Sequence, residues 1–302
     1  MIRNEKDDIL ETRTKEKGED YMAKLYMSDL DGTLLNNHGE MSDVAADMLN
    51  RSIELGIQFS VNTARTPATV FPIMKNVQLN VPFSMMNGVL IYNPVDAQYL
   101  KIHYMKPETA MVVLGIIKLH GLQCFMYTME DDNLCTYYDS VESHSLNKFR
   151  NERIIKYDKV FKEVDDLSIC SNKGVIYFCL RETKDKLNGL YRDLKAVRGA
   201  HAKFYKDVYH EEWMFLEIYS DQASKAEALN TIKQWGNYEE VVGFGDSDND
   251  YEMFQACDET YAVSNATPEI QDLATGIIPS NEDYGVPRFL RKTLHDSLNQ
   301  KE

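Results

Sequence analysis

No stretch of this 302-residue chain carries the ~18 consecutive apolar residues that a membrane-spanning helix needs. The longest apolar run, Ala110 to Ile117, fits inside one buried helix. The opening segment, MIRNEKDDILETRTKEKGED, lacks the apolar core of a secretory signal; residues 1–20 read as a charged, flexible extension. Positive charge is scarce. There are 33 Lys and Arg against 48 Asp and Glu, a net charge of -15. Such a surface repels phosphate backbones and anionic lipid, so neither nucleic acid nor membrane is an expected partner. Local donors can still hold a small anion against that field. Cysteine is sparse as well: five residues, an odd number, with no C-x-x-C pair. That excludes a zinc or disulfide framework and a catalytic thiol as expectations, and suits reduced thiols in the cytoplasm. There is no internal repeat.

What is present is ordinary globular composition, 43% hydrophobic and 27% charged, enough for a sizeable core. From Tyr21 to about Pro94 strands and helices alternate. Leu25–Met27 reads as a strand. Ser42 caps a helix carrying Val44, Met48, Leu49 and Ile53 at helical spacing, and Gly56 ends it. Ile57–Val61 follows as a strand, Pro67 opens a helix to about Val77, and Val81–Met86 is a third strand. Such alternation predicts parallel pairing through right-handed crossovers. The middle of the chain differs. A helix from Pro107 stops at Gly121, LQCFMYTMEDDNLCTYYD reads as two strands around an Asp-Asp-Asn turn, and Val175–Cys179 is another strand. A helix over about 184–197 and strands near 202–205 and 214–219 complete a largely antiparallel α+β unit. Alternation returns after about Ser220 and ends in a helix over about 286–298. The expected division is an α/β domain of residues 21–96 and 211–302, with residues 97–210 inserted as a second domain.

The chemistry begins in KLYMSDLDGTLLNN, where an apolar strand runs into Asp29 and Asp31. Ligands of open α/β sheets bind beyond the carboxyl ends of the strands, which is where these acids fall. Two carboxylates this close repel unless a cation intervenes. A second acidic run, GFGDSDND, also follows a strand. If the two strands are neighbours, Asp29, Asp31, Asp246 and Asp250 crowd one spot, and oxygen ligands of that kind suit Mg²⁺. Asp31-Gly32 alone is a hairpin-turn signal, and an isolated D-x-D-G is a turn far more often than a metal site. A calcium loop beginning at Asp246 fails, because its sixth position is Tyr251 rather than Gly and its twelfth is Cys257 rather than Glu. Thr63-Ala64-Arg65 ends a strand before a helix, where a hydroxyl and backbone amides can hold phosphate or simply start the helix. Lys225 opens a later helix and by itself reads as a solvated lysine.

In that order, D-L-D-G-T-L-L (Asp29 to Leu35), T-A-R (Thr63 to Arg65), Lys225 and G-D-S-D-N-D (Gly245 to Asp250) resemble the haloacid-dehalogenase-like superfamily, specifically its Cof-type phosphatases. Asn87-Gly88, Ser264-Asn265-Ala266 and N-E-D-Y-G-V (Asn281 to Val286) are similar too. The resemblance covers nearly everything after residue 20. It implies a Rossmann-like parallel-sheet core with an inserted α+β cap, and an enzyme that hydrolyses small phosphorylated metabolites with Mg²⁺. It further implies that Asp29 is the nucleophile and Asp31 the proton donor and acceptor. Asp29, the backbone carbonyl of Asp31 and Asp246 would hold Mg²⁺, with Asp250 supporting them. Thr63 and the backbone at Leu30 and Ala64 would grip the phosphoryl group, Lys225 would neutralise charge, and Asn249 would orient the substrate or an acid beside the metal. Ala64 and Ala226 stand where the family usually has Gly. A phosphomutase on the same scaffold and a non-catalytic ligand sensor stay open, as do sugar phosphates against pyridoxal phosphate or a flavin mononucleotide as substrate. Tyr127, Tyr137, Tyr138, Lys203, Lys206 and His210 are candidates to touch the leaving group.

Overall fold

A computed structural model describes residues 24–207 and 210–299; the expected charged extension, 1–20, lies outside them. Lys24–Ser28 is the fourth strand of a parallel five-stranded sheet, flanked by Glu240–Gly245 on one side and Gln58–Val61 on the other. Its residues from Leu25 onward are all buried, because helices cover both faces of such a sheet and leave no solvent side to alternate with. Register aligns Ser28 with both Phe244 and Val61. The three strands therefore end level, and Asp29, Asp246 and Thr63 leave the sheet at one edge. The chain steps from Lys24–Ser28 to the neighbour on one side and returns much later on the other. That reversal opens a crevice at the carboxyl ends.

Local chemistry explains the connections. The Ser42 side chain accepts from the Ala45 amide and caps the helix Asp43–Glu54. Asn62 fastens the sheet edge to the helix Lys225–Trp235: its Nδ2 donates to the Lys225 carbonyl at 2.7 Å.

The expected third strand is shorter, Phe83–Met85, and pairs with the end of the parallel sheet through the Asn62–Ser84 bridge. It pairs antiparallel with Leu90–Asn93, which pairs with Gln98–Ile102. The chain reverses because Met86, Asn87 and Gly88 all take positive φ. Gly88 is required there, since a Cβ would fall 2.1 Å from the Ser224 carbonyl oxygen.

The six-stranded sheet, antiparallel except at one edge pair, runs Ala200–Lys206, Met214–Ser220, Val175–Glu182, Phe125–Glu130, Asn133–Tyr138, Lys162–Glu163. Asp131 and Asp132 take the positive φ that the tight hairpin at the expected Asp-Asp-Asn turn requires. In Val175–Glu182 the pleat sends Phe178 and Leu180 to one hydrophobic cluster and Tyr177 and Cys179 to the other, which faces the parallel sheet. Two strands fall across the expected edges of the insertion. Gln98–Ile102 joins the three-stranded sheet, and Met214–Ser220 sits inside the six-stranded one. The helix His144–Tyr157 is not legible in the sequence pattern, since Ile154 and Ile155 are exposed and blur its apolar face. Polar bonds tie the six-stranded unit down onto the crevice: Lys203 Nζ to the Asn249 carbonyl at 3.0 Å and Asn87 Nδ2 to Glu217 at 2.9 Å. No helix among the described residues is long and apolar enough to cross a membrane.

Candidate active site

Asp29 follows its strand directly, its amide donating to the Phe244 carbonyl at 3.0 Å. The residue is 2% exposed. Lys225 Nζ donates to Asp29 Oδ1 at 2.6 Å and to Asp250 Oδ1 at 2.7 Å. The lysine that reads as solvated in the sequence is buried at the centre of the site. It arrives there because Ser224 caps its helix and Asn62 pins the helix start. Asp250 uses its other oxygen to accept from the amides of Asp246 and Ser247. Thr33 Oγ1 donates to Asp246 Oδ1 at 3.0 Å.

Carboxylate oxygens of Asp29, Asp246 and Asp250 all lie within 4.8 Å of one another. The expectation that four acids crowd one spot is corrected to three. Asp31 stands outside that triad, its carboxylate gripped by Arg65 through Nε to Oδ2 and Nη2 to Oδ1, both 2.6 Å. A planar guanidinium fork satisfies both carboxylate oxygens at once, which turns this side chain away from its neighbours. Arg65 stands in the T-A-R triplet, but nothing in the sequence assigns it this partner.

Burial pushes Asp29 up to about 7, against the pull of Lys225 and with help from Asp250 and Asp31. Burial likewise raises Asp246 well above the usual carboxylate range, with the charges of Asp250 and Asp29 adding to it. For Lys225, burial alone would lower the ammonium; the Asp250 and Asp29 carboxylates outweigh it and hold the group charged. Three acids around one ammonium leave surplus negative charge in a dry place. A divalent cation with oxygen preference fits that donor set. Asp29 and Asp246 would be its direct donors, because Asp250 already has both oxygens engaged. Gly32 guards the arrangement: φ is +76°, and a Cβ would stand 2.4 Å from Asp246 Oδ2. Gly32→Ala is expected to weaken divalent-metal binding by about 10–100-fold, read as a shift in the Mg²⁺ titration midpoint of thermal melting.

Thr63 is buried; its carbonyl accepts from Asn87 and its Oγ1 from the Arg65 amide. Ala64 is not among the residues of positive φ, so its methyl meets no backbone strain. Ala226 lies in the first turn of its helix, where alanine is favourable. Leu30 is wholly buried, and its carbonyl accepts from Thr33, Leu34 and Leu35 to shape the turn. Asn249 Oδ1 accepts from the Ser247 hydroxyl.

A cavity of about 570 Å³ is lined below by Asp29, Asp31, Thr63, Ala64, Asp246 and Asn249, and above by residues of the six-stranded unit. Of the leaving-group candidates, Tyr127 and Lys206 line it. Lys203 instead bonds Asn249, Tyr137 donates to Glu130, Tyr138 to Glu163, and His210 pairs with Glu152. Arg153 and Lys159 also line the cavity. Sequence pattern did not single them out, because they sit on and just beyond a helix without a clear apolar face.

Residues 26–290 match the family of haloacid dehalogenase-like hydrolases. A 5-amino-6-(5-phospho-D-ribitylamino)uracil phosphatase of Bacillus subtilis, YitU, is 23% identical over 87% of this chain and 95% of its own. The pyridoxal phosphate phosphatase YbhA of Escherichia coli is 24% identical over 88% of this chain and 97% of its own. The crystal structure of a haloacid dehalogenase-like hydrolase from Bacteroides thetaiotaomicron superposes with a TM-score of 0.74 at 21% identity, covering 89% of this chain and 99% of that one.

Proposed function

The chain belongs to the haloacid dehalogenase-like hydrolase family, and from that premise we propose that it is a Mg²⁺-dependent phosphatase of small phosphomonoesters acting through an aspartyl-phosphate on Asp29. The observation that carries this is the buried Asp29–Lys225–Asp250 bridge, whose Asp29 lines, with Asp246, Thr63 and Asp31, the floor of the cavity. Buried acids with perturbed protonation in a cleft mark a reactive site.

Mg²⁺ would be held by Asp29, the Asp31 carbonyl and Asp246, supported by Asp250, and would supply charge neutralisation of the phosphoryl oxygens. The protein performs the rest. An Asp29 oxygen attacks phosphorus while the bond to the leaving oxygen breaks, and Asp31 delivers a proton to that oxygen. Water then attacks the aspartyl-phosphate, Asp31 takes its proton, and Asp29 and inorganic phosphate are regenerated. The Arg65 fork holds the Asp31 carboxyl in place for both proton transfers. Thr63 Oγ1 and the amides near Leu30 and Ala64 bind phosphoryl oxygens, Lys225 balances charge on Asp29, and Asn249 faces the leaving group.

We read the six-stranded unit, about residues 103–220, as an inserted cap over the site. The edges shift from 97 and 210 for the strand pairings described above. Five free cysteines favour a cytoplasmic location. The substrate is a small phosphorylated metabolite of a size that about 570 Å³ admits. The test is phosphate release across a panel of sugar phosphates, pyridoxal phosphate and flavin mononucleotide. Turnover with Mg²⁺ that falls to background with chelator and returns with Mg²⁺ is expected. Chelator-insensitive turnover would remove the metal from the mechanism.

A further inference from the structure

The cavity wall opposite the acids holds charge that the protein itself does not balance. Lys159 is 7% exposed. Its Nζ donates to the Tyr127 hydroxyl at 3.3 Å and lies 4.4 Å from the centre of the Tyr127 ring. Among the described residues it has no carboxylate partner. The other cavity cations do: Arg65 grips Asp31 and Lys206 pairs with Glu211. The acids of the six-stranded unit nearest to it are engaged elsewhere, Asp207 by Arg181 and Glu217 by Asn87. Arg153 adds a second positive charge on the same wall, its guanidinium 4.0 Å from the centre of the Phe149 ring. Its only acidic partner among the described residues is the adjacent Glu152, at 3.4 Å and partly exposed.

The position is built rather than accidental. Asp158 takes a left-handed conformation, and the Lys159 amide returns to the Arg153 carbonyl at 3.3 Å. This helix ending brings the two cationic residues together and turns both into the cavity. Buried charges are normally paired, because an isolated one forfeits its hydration. A lysine kept unpaired at the wall of a substrate cavity asks for a negative charge from the ligand.

We infer that the substrate carries a second anionic group, a carboxylate or a second phosphate, which Lys159 and Arg153 hold while the scissile phosphate sits at Asp29. This rests on the phosphatase reading and names the substrate class for that site. The aromatic side chains of Tyr127, Phe149 and Phe215 line the same cavity and suit an apolar or flat body between the two anions. Burial, and secondarily the Arg153 charge, lowers the Lys159 ammonium to about 7. An anion bound beside it would restore the charged form.

Matched ligand pairs test this: phenyl phosphate against 4-carboxyphenyl phosphate, and a hexose 6-phosphate against the hexose 1,6-bisphosphate. The wild type should favour the doubly anionic member of at least one pair by about tenfold or more in kcat/KM, mainly through KM. In Lys159→Met that ratio should fall toward one, and Lys159→Arg should restore part of it. Which pair responds tells carboxylate from phosphate. Binding of benzylphosphonate and 4-carboxybenzylphosphonate, measured by calorimetry, reads the same selectivity without turnover. Equal preference within both pairs and both phosphonates, or a ratio unchanged in Lys159→Met, overturns the inference and leaves the phosphatase reading standing. Selective phosphonate binding without turnover of any ester overturns the phosphatase reading and leaves the anion site.

Discussion

Asp29→Asn is expected to lower phosphate release by about four orders of magnitude or more, for every substrate the wild type accepts. An amide oxygen cannot form the acyl-phosphate, and no other carboxylate can take its place. Asp246 is committed to Thr33, Asp250 to Lys225 and two backbone amides, and Asp31 to Arg65. The substitution keeps shape and leaves Lys225 its bond to Asp250, so the fold should survive. Melting within a few degrees of wild type, together with lost turnover, locates the defect in chemistry. Turnover within tenfold of wild type would remove Asp29 from the nucleophile's role. Asp31→Asn should lose less, about 10²–10⁴-fold, because proton transfer contributes a smaller factor than bond formation.

The second large effect concerns stability. Lys225→Met should destabilise the metal-free protein by about 3–5 kcal/mol at alkaline pH, since it strands buried carboxylates without their ammonium. Asp29 is raised from 3.8 to about 7 even with Lys225 beside it, and it rises further without that charge. A carboxyl whose folded-state pKa is raised destabilises the fold as pH climbs through it. The deficit of the variant should therefore be small below about pH 4, where Asp29 is protonated folded or unfolded. It should grow through neutral pH and above. Added Mg²⁺ should recover part of it by binding the folded state. Denaturant titrations at several pH values, with and without Mg²⁺, measure this directly. A deficit that shrinks as pH rises would contradict the assignment of charge in the bridge.

The sequence carried the site's membership further than its layout. Asp29 and Asp246 are legible because each ends an apolar run, with Asp31 and Asp250 two and four residues behind them, and a parallel sheet presents the residues after its strands at one edge. The order of the four motifs and the strand–helix alternation carry the core fold for the same reason. Each is a short-range pattern, repeated locally. The third strand misled because its antiparallel pairing depends on a reversal at Met86-Asn87-Gly88, where two non-glycine residues adopt positive φ. The cap helix His144–Tyr157 was lost because two isoleucines face solvent.

By itself, the sequence placed Asp29, Asp246 and Thr63 just after strands, since that depends on neighbours a few positions away. Tertiary structure alone decided how they are paired. Lys225 meets Asp29 across 196 residues of chain, and Arg65 draws Asp31 away from the other acids across 34. Lys159 and Arg153 become a charged wall only when the inserted sheet folds down over the crevice. Charge pairing of this kind acts through space at a few ångströms, and no local spacing rule encodes which distant partner the fold delivers.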